Sequence, residues 1–135
     1  MWLPLAQALI GLCAAAEGRL KSGLAVAFDA LDRFAATGTG VCESHIHAPV
    51  GELLIEAGRA EEAVRRLDKR IDSAVRRQER VYLSELYRVR GLAYRDLAAL
   101  DQAHADISIA CDIAHSQGAM TLLRRAQESL SVIKA

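Results

Sequence analysis

The chain has few of the residues that interrupt or cross-link a fold. Its 135 residues include two prolines and three cysteines, while hydrophobic residues make up 52%. An apolar composition with so little proline argues against disorder. The length indicates one domain that is large enough to bury a core. The cysteines, Cys13, Cys42 and Cys111, are odd in number and widely spaced. This pattern predicts reduced thiols and a cytoplasmic location.

Net charge is also absent, since the formal charge at pH 7 is zero. A balanced chain is a poor candidate for binding nucleic acid. The charge is nevertheless uneven, because residues 59–95 carry eleven basic and six acidic side chains. Most of the excess lies in one basic cluster, Arg65, Arg66, Lys69, Arg70, Arg76, Arg77 and Arg80. Because Asp68 and Asp72 interrupt it, we interpret the cluster as a solvated helix face, with contact to phosphate as the alternative.

Residues 2–16 contain no charged side chain. The stretch is too short to span a bilayer. A secretory signal also requires a basic residue before its apolar segment, and no Lys or Arg precedes Arg19. We therefore predict a buried helix and no membrane association. Because apolar residues encircle this helix, one neighbouring helix cannot bury them all. We predict that a preceding repeat or a second subunit covers it, and that a homodimer would use Trp2, Leu5, Leu9 and Leu12.

Signatures of catalysis, cofactors and metals are missing as well. No Gly-rich phosphate-binding loop ends in Lys-Ser/Thr, and no arrangement of His, Asp and Glu indicates an activated nucleophile or paired acids. Cys42 and His45 would share a helix face, whereas His47 would not, and two ligands are too few for a structural zinc site. The prediction is a non-enzymatic protein without a metal or cofactor.

What the chain does contain is a period of forty residues. Gly11, Gly51 and Gly91 are forty apart. Other columns at this spacing hold mostly small or apolar residues: Gly18, Gly58 and Ala98; Gly23, Ala63 and Ala103; Ala27, Leu67 and Ile107; Gly38, Gln78 and Gly118. A fixed period in this range is typical of stacked units that bury a continuous core between neighbours.

Each row of forty residues has the pattern of two helices and two short turns. In the third row, apolar spacing predicts a helix over 81–97 and a second one from an Asp101 N-cap to Ser116. We predict an all-α single domain over residues 1–135, with three helical hairpins (about 1–40, 41–80 and 81–118) and a C-terminal capping helix within 119–135. This makes seven helices. Pro49 predicts a kink or a late start in the first helix of row two.

These columns resemble the tetratricopeptide repeat, although the period exceeds the roughly 34 residues of that family. The matching small residues are Gly11, Gly51 and Gly91 in the first helices, then Gly23, Ala63 and Ala103, and finally Ala30 and Ala110, where Arg70 departs from the pattern. The resemblance implies a right-handed superhelix whose first helices line a concave groove for protein or peptide. Its groove positions carry over to His45, Glu52, Glu56, Glu85, Arg88, Leu92, Arg95 and Asp96.

Arg88 and Arg95 are the candidate cations of this groove. They would bind a carboxylate or phosphate of a partner, or of a small anionic metabolite held with Glu52 and Glu56. In the alternative interpretation they pair with Glu85, Glu52 or Asp96 along and between helices.

The last third of the chain has a narrower resemblance. Residues 85–91, 113–119, 125–126 and 129–130 look like the closing repeats of bacterial adenylate cyclase-like ATPases and LuxR-type transcriptional regulators. The resemblance implies a sensor or scaffold region of a bacterial regulatory protein. Protein or peptide binding is therefore the leading prediction. The alternatives are homo-oligomerisation through the apolar N-terminal helix and sensing of a small anionic metabolite in the groove.

Overall fold

The computed structural model describes residues 7, 9–14, 18–36 and 44–134, and every regular element in these ranges is an α-helix. The first helix, α1, includes residues 7 and 9–14. It is followed by α2 (Leu20–Ala36), α3 (Ser44–Glu56), α4 (Ala60–Arg76), α5 (Leu83–Asp96), α6 (Leu100–Ser116) and α7 (Met120–Lys134). The prediction of an all-α fold with seven helices is therefore confirmed.

Five helix ends in the described ranges are each marked by a residue with left-handed backbone conformation. These residues lie twenty or forty positions apart. Gly18, Gly58, Gln78, Ala98 and Gly118 have φ values of 97°, 75°, 58°, 60° and 66°. From residue 58 onward, each of their amides donates to the carbonyl three residues earlier, and the next amide donates to the carbonyl five residues earlier. This Schellman arrangement satisfies carbonyls that a helix end leaves without partners. The sequence columns at these positions thus mark where the helices end.

The helix starts differ from the sequence prediction. The N-cap of α6 is Ala99, which makes no side-chain capping bond, and Asp101 lies in the first turn. The reason is that the turn at Ala98 leads directly into α6, so the helix begins before the residue best suited to cap it. Asp101 still places a negative charge near the positive end of the helix dipole. In α3, the helix begins at Ser44 and continues through Pro49.

Glycines 11, 51 and 91 lie where helices approach each other closely. A Cβ atom on Gly91 would lie 2.6 Å from Ile107 Cγ1, and one on Gly11 would lie 2.6 Å from the carbonyl oxygen of Gly23. On Gly51, the added atom would lie 2.9 Å from a methyl group of Val89. No side chain fits at these distances without a shift of its neighbours. The recurrent glycines therefore set how closely the helices pack.

Helices that follow one another in the chain pack together from α2 to α7. In addition, α3 packs against α5 and α5 against α7, whereas α2, α4 and α6 make no comparable contacts with one another in the described residues. One side of the molecule is therefore formed by α3, α5 and α7, and we call it the α3–α5–α7 face. The core lies between the two sets of helices, and its largest fully buried side chains include Leu24, Ile46, Leu54, Leu67, Leu86 and Ile107.

Candidate functional site

All eight predicted groove residues lie on two helices that pack together. His45, Glu52 and Glu56 are on α3, and the other five are on α5, namely Glu85, Arg88, Leu92, Arg95 and Asp96. Helix α7 packs against α5 and contacts Glu52, Glu85 and Arg88. Asp96 instead lines a cavity beside the start of α4. The site therefore spans three helices, of which the third was predicted only as a cap.

Arg88 connects these three helices. Its Nε and Nη2 atoms donate hydrogen bonds of 3.1 and 3.0 Å to the two carboxylate oxygens of Glu85. Nη2 also donates to Glu52 on α3, and Nη1 donates to Ser129 Oγ on α7 at 3.4 Å. Burial acts to lower the pKa of Arg88, but the two carboxylates outweigh it and raise that pKa, so the guanidinium stays charged. The internal pairing expected as the alternative to ligand binding is thus present.

A second arginine, Arg125 of α7, completes the network and was not predicted. Its Nη1 lies 3.4 Å from Glu85 Oε2, and its Nη2 lies 3.4 Å from Glu52 Oε1. Two guanidinium groups therefore neutralise two carboxylates. Position 125 is forty residues after position 85, so α7 continues the period of the three rows. Extending the columns past residue 120 is the signal that points to Arg125.

The outer part of this network is open to solvent. The side chains of Glu52 and Arg125 are 41% and 47% exposed, so both keep hydrogen-bonding capacity for a partner. Further along, Arg95 and Asp96 are also partly exposed and pair at 3.4 Å. Glu56 is exposed on α3. The face thus offers charges of both signs rather than a pocket of one sign.

Arg90 forms a separate ion pair on the opposite side of α5. Its Nε and Nη2 donate to both oxygens of Asp106 at 2.6 and 2.8 Å, and its Nη1 donates to Asp68 at 2.8 Å. The guanidinium also lies 5.3 and 5.8 Å from the ring centroids of Tyr87 and Tyr94. The hydrogen bonds to Asp106 raise the pKa of Arg90 although burial opposes them. With all its nitrogens engaged, Arg90 joins α5 to α4 and α6 and has a structural role.

The N-terminal helix exposes apolar surface that two of its counterparts bury, whereas Pro49, in the column of Leu9, is also exposed. Leu9 and Ile10 are 47% and 64% exposed. In the same columns, Val89 and Val50 are 0% and 1% exposed. Leu12, the other described residue of the predicted dimer interface, is partly buried and packs against the core.

Some predicted residues fall outside the described part of the chain. They are Trp2, Leu5, Cys42 and the side chain of His45. Within the described residues, no group of three His, Cys, Asp or Glu side chains could hold a metal ion. None of the described helices combines the length and apolar character needed to cross a bilayer.

Two free thiols are described, an exposed one at Cys13 and a partly buried one at Cys111. Burial, together with the adjacent carboxylate of Asp112, raises the pKa of the Cys111 thiol. The thiol is therefore more protonated near neutrality than an ordinary cysteine, which disfavours a role as a nucleophile.

Comparisons with protein-family models, with curated proteins and with solved structures found no match to this chain. The tetratricopeptide resemblance accordingly stays a prediction that rests on the sequence columns.

Proposed function

We propose that this chain is a non-enzymatic module that binds a protein or peptide across the α3–α5–α7 face. The observation that carries the proposal is the network of Arg88, Arg125, Glu52 and Glu85, which joins three helices and leaves two of its charges about half exposed. A surface held in one arrangement before binding loses little conformational entropy when a partner docks. Exposed charges of both signs, Glu52 and Arg125, suit the donors and acceptors of a polypeptide.

In this proposal the hairpins form a tetratricopeptide-like right-handed superhelix. The resemblance of the last third supports the narrower proposal that the chain serves as a cytoplasmic sensor or scaffold region of a bacterial regulatory protein. A peptide would lie along the first helices, in extended or helical form.

A small anionic metabolite is the weaker candidate for this face. Arg88 already donates to Glu85, Glu52 and Ser129, so an anion at that position would have to displace two carboxylates. Displacing a buried carboxylate leaves its charge without a partner, which is strongly unfavourable. A polypeptide avoids this cost because it can bond to the exposed edge of the network.

The experiment captures bacterial proteins on the immobilised chain and compares three forms. The test variant carries Glu52→Gln and Arg125→Gln, and the matched control carries Arg124→Gln, since Arg124 is an exposed arginine next to Arg125. A partner of this face should bind the wild type and the control, and bind the test variant at least about tenfold more weakly, because each charged hydrogen bond contributes about 1.5–3 kcal/mol. Equal capture by the test variant and the wild type contradicts the proposal.

Self-association is a second candidate, which the exposure of Leu9 and Ile10 favours. In a dimer these side chains would be buried as their counterparts Val89 and Val50 are. The test is light scattering of a Leu9→Glu, Ile10→Glu variant, with Val26→Glu as control because Val26 is an exposed valine on α2. A wild-type dimer that the double variant alone converts to a monomer supports this candidate. A wild type that is monomeric at all concentrations excludes it.

A further inference from the structure

A cleft lined mainly by α4 lies apart from the charged network of Glu52, Glu85, Arg88 and Arg125. It has a volume of about 540 Å³ and lies between α2 and α4, with α3 contributing one residue. Its lining consists of Asp32, His47, Glu62, Arg65, Arg66, Lys69, Arg70 and Ser73. All of these side chains are polar or charged, so the cleft suits a hydrophilic ligand rather than an apolar one.

The charge of the cleft is predominantly positive, and part of it is held by internal contacts. Four lining residues are basic and two are acidic. Arg70 is 5% exposed and bonds to Glu79 at 2.5 Å, which assigns it to the framework. Glu62 carries the bonds of Arg59 and Arg66, at 2.5 and 3.3 Å.

Arg66 is oriented in a way that leaves donors available. Its guanidinium carbon lies 3.9 Å from the ring centroid of Phe28, and its Nε donates to Glu62. The stacking and the single hydrogen bond fix the plane of the group. In the part of the chain that the structure describes, neither of its Nη atoms has an acceptor.

Arg65 and Lys69 add two charges that have no described ion partner. They are four residues apart on α4, and both are exposed. Like charges at this spacing repel each other, so an anion between them relieves an unfavourable interaction. Ser73 lies a further four residues along the same side of α4 and places a hydroxyl group in the same cleft.

We infer that this cleft binds a compact soluble polyanion, a small molecule that carries at least two phosphate or carboxylate charges. Arg65, Lys69 and the Nη atoms of Arg66 donate to the anion, and Ser73 provides a neutral donor. Asp32, which is exposed and lines the cleft, opposes the anion by charge repulsion. The site shares no residue with the network of Glu52, Glu85, Arg88 and Arg125, although His47 of α3 lines it.

Isothermal titration calorimetry tests the inference with two probes, pyrophosphate and citrate. The wild type should bind at least one probe with a Kd below about 1 mM at low ionic strength. Arg65→Ala with Lys69→Ala should weaken binding at least about tenfold. The matched control, Arg76→Ala, removes an exposed arginine of the same helix outside the cleft and should bind as the wild type does.

The variant Asp32→Asn separates the inference from a loss of folding, because it should bind more tightly than the wild type. Which probe binds tells whether phosphate or carboxylate is the preferred group. The inference is overturned if neither probe binds, or if Arg76→Ala weakens binding as much as the double variant. It is also overturned if Asp32→Asn leaves the affinity unchanged. None of these results depends on the α3–α5–α7 face, so they do not test the proposed function.

Discussion

Replacing Arg88 with methionine tests whether the charged network stabilises the packing of α3, α5 and α7. Glu85 is 8% exposed, and it would lose its bonds from Arg88 and keep only the 3.4 Å contact with Arg125. Removing one partner of a buried ion pair costs about 3–5 kcal/mol, because the remaining charge stays desolvated. The contact with Arg125 retains part of the pairing, so we expect a loss of about 3 kcal/mol in the free energy of unfolding.

The assay is urea unfolding followed by far-UV circular dichroism. Arg88→Met should lower the midpoint without a change in the slope, which reports the surface exposed on unfolding. Combining Arg88→Met with Glu85→Leu should recover most of the loss, because an apolar pair needs no compensating charge. Arg95→Met serves as control, since Arg95 is 34% exposed and pairs with Asp96 at 3.4 Å. It should cost less than about 1 kcal/mol.

Two results would refute this reasoning. One is an Arg88→Met variant that is no less stable than Arg95→Met, which would mean that the buried pairing contributes nothing to stability. The other is a double variant as unstable as Arg88→Met alone, which would mean that the loss arises from packing rather than from the unpaired carboxylate of Glu85.

Three further predictions concern packing, helix ends and titration. Gly91→Ala should lower the stability by about 1–2 kcal/mol in urea unfolding, because the new methyl group would lie 2.6 Å from Ile107 Cγ1. Ala98→Gly should raise it by about 0.5–1 kcal/mol, because φ is 60° there and glycine adopts this conformation without strain. In a variant that retains only Cys111, alkylation by iodoacetamide should be slower near neutral pH than that of a free cysteine. The alkylation rate of Cys111 should still be rising at pH values above 9.0, the ordinary thiol pKa. The reason is that the pKa of Cys111 is raised, so the thiolate forms at higher pH.

Each of these predictions has a result that contradicts it. A Gly91→Ala variant as stable as the wild type would show that the helices can separate without cost. Ala99→Gly is the control for Ala98→Gly, since Ala99 has a φ of −87° and glycine there should lower stability. A gain at both positions would refute the strain argument. An alkylation rate for Cys111 that levels off below pH 9.0 would contradict the raised pKa.

The helices and their ends were predictable because their causes are local. Apolar residues at helical spacing determine which face of each helix is buried, and this requires only the neighbouring turns of chain. Gly58 and Gly118 end helices because the left-handed conformation suits a residue without a Cβ atom. The start of α6 was placed wrongly at Asp101, because the preceding Schellman turn overrides the preference of a side chain for the N-cap.

The sequence alone therefore determined the helices, their spacing and the small residues at which they approach each other. It also supplied Glu85 and Arg88 as neighbours on one helix, but it left open whether they face a ligand or each other. Only the tertiary structure decided this, because α7 brings Arg125 and Ser129 against them and α3 brings Glu52. The burial of a charged side chain depends on groups that are distant in the chain, and local periodicity carries no information about them. The cleft at α4 depends on tertiary structure in the same way. Packing decides that Arg70 is buried there whereas Arg65 and Lys69 stay exposed.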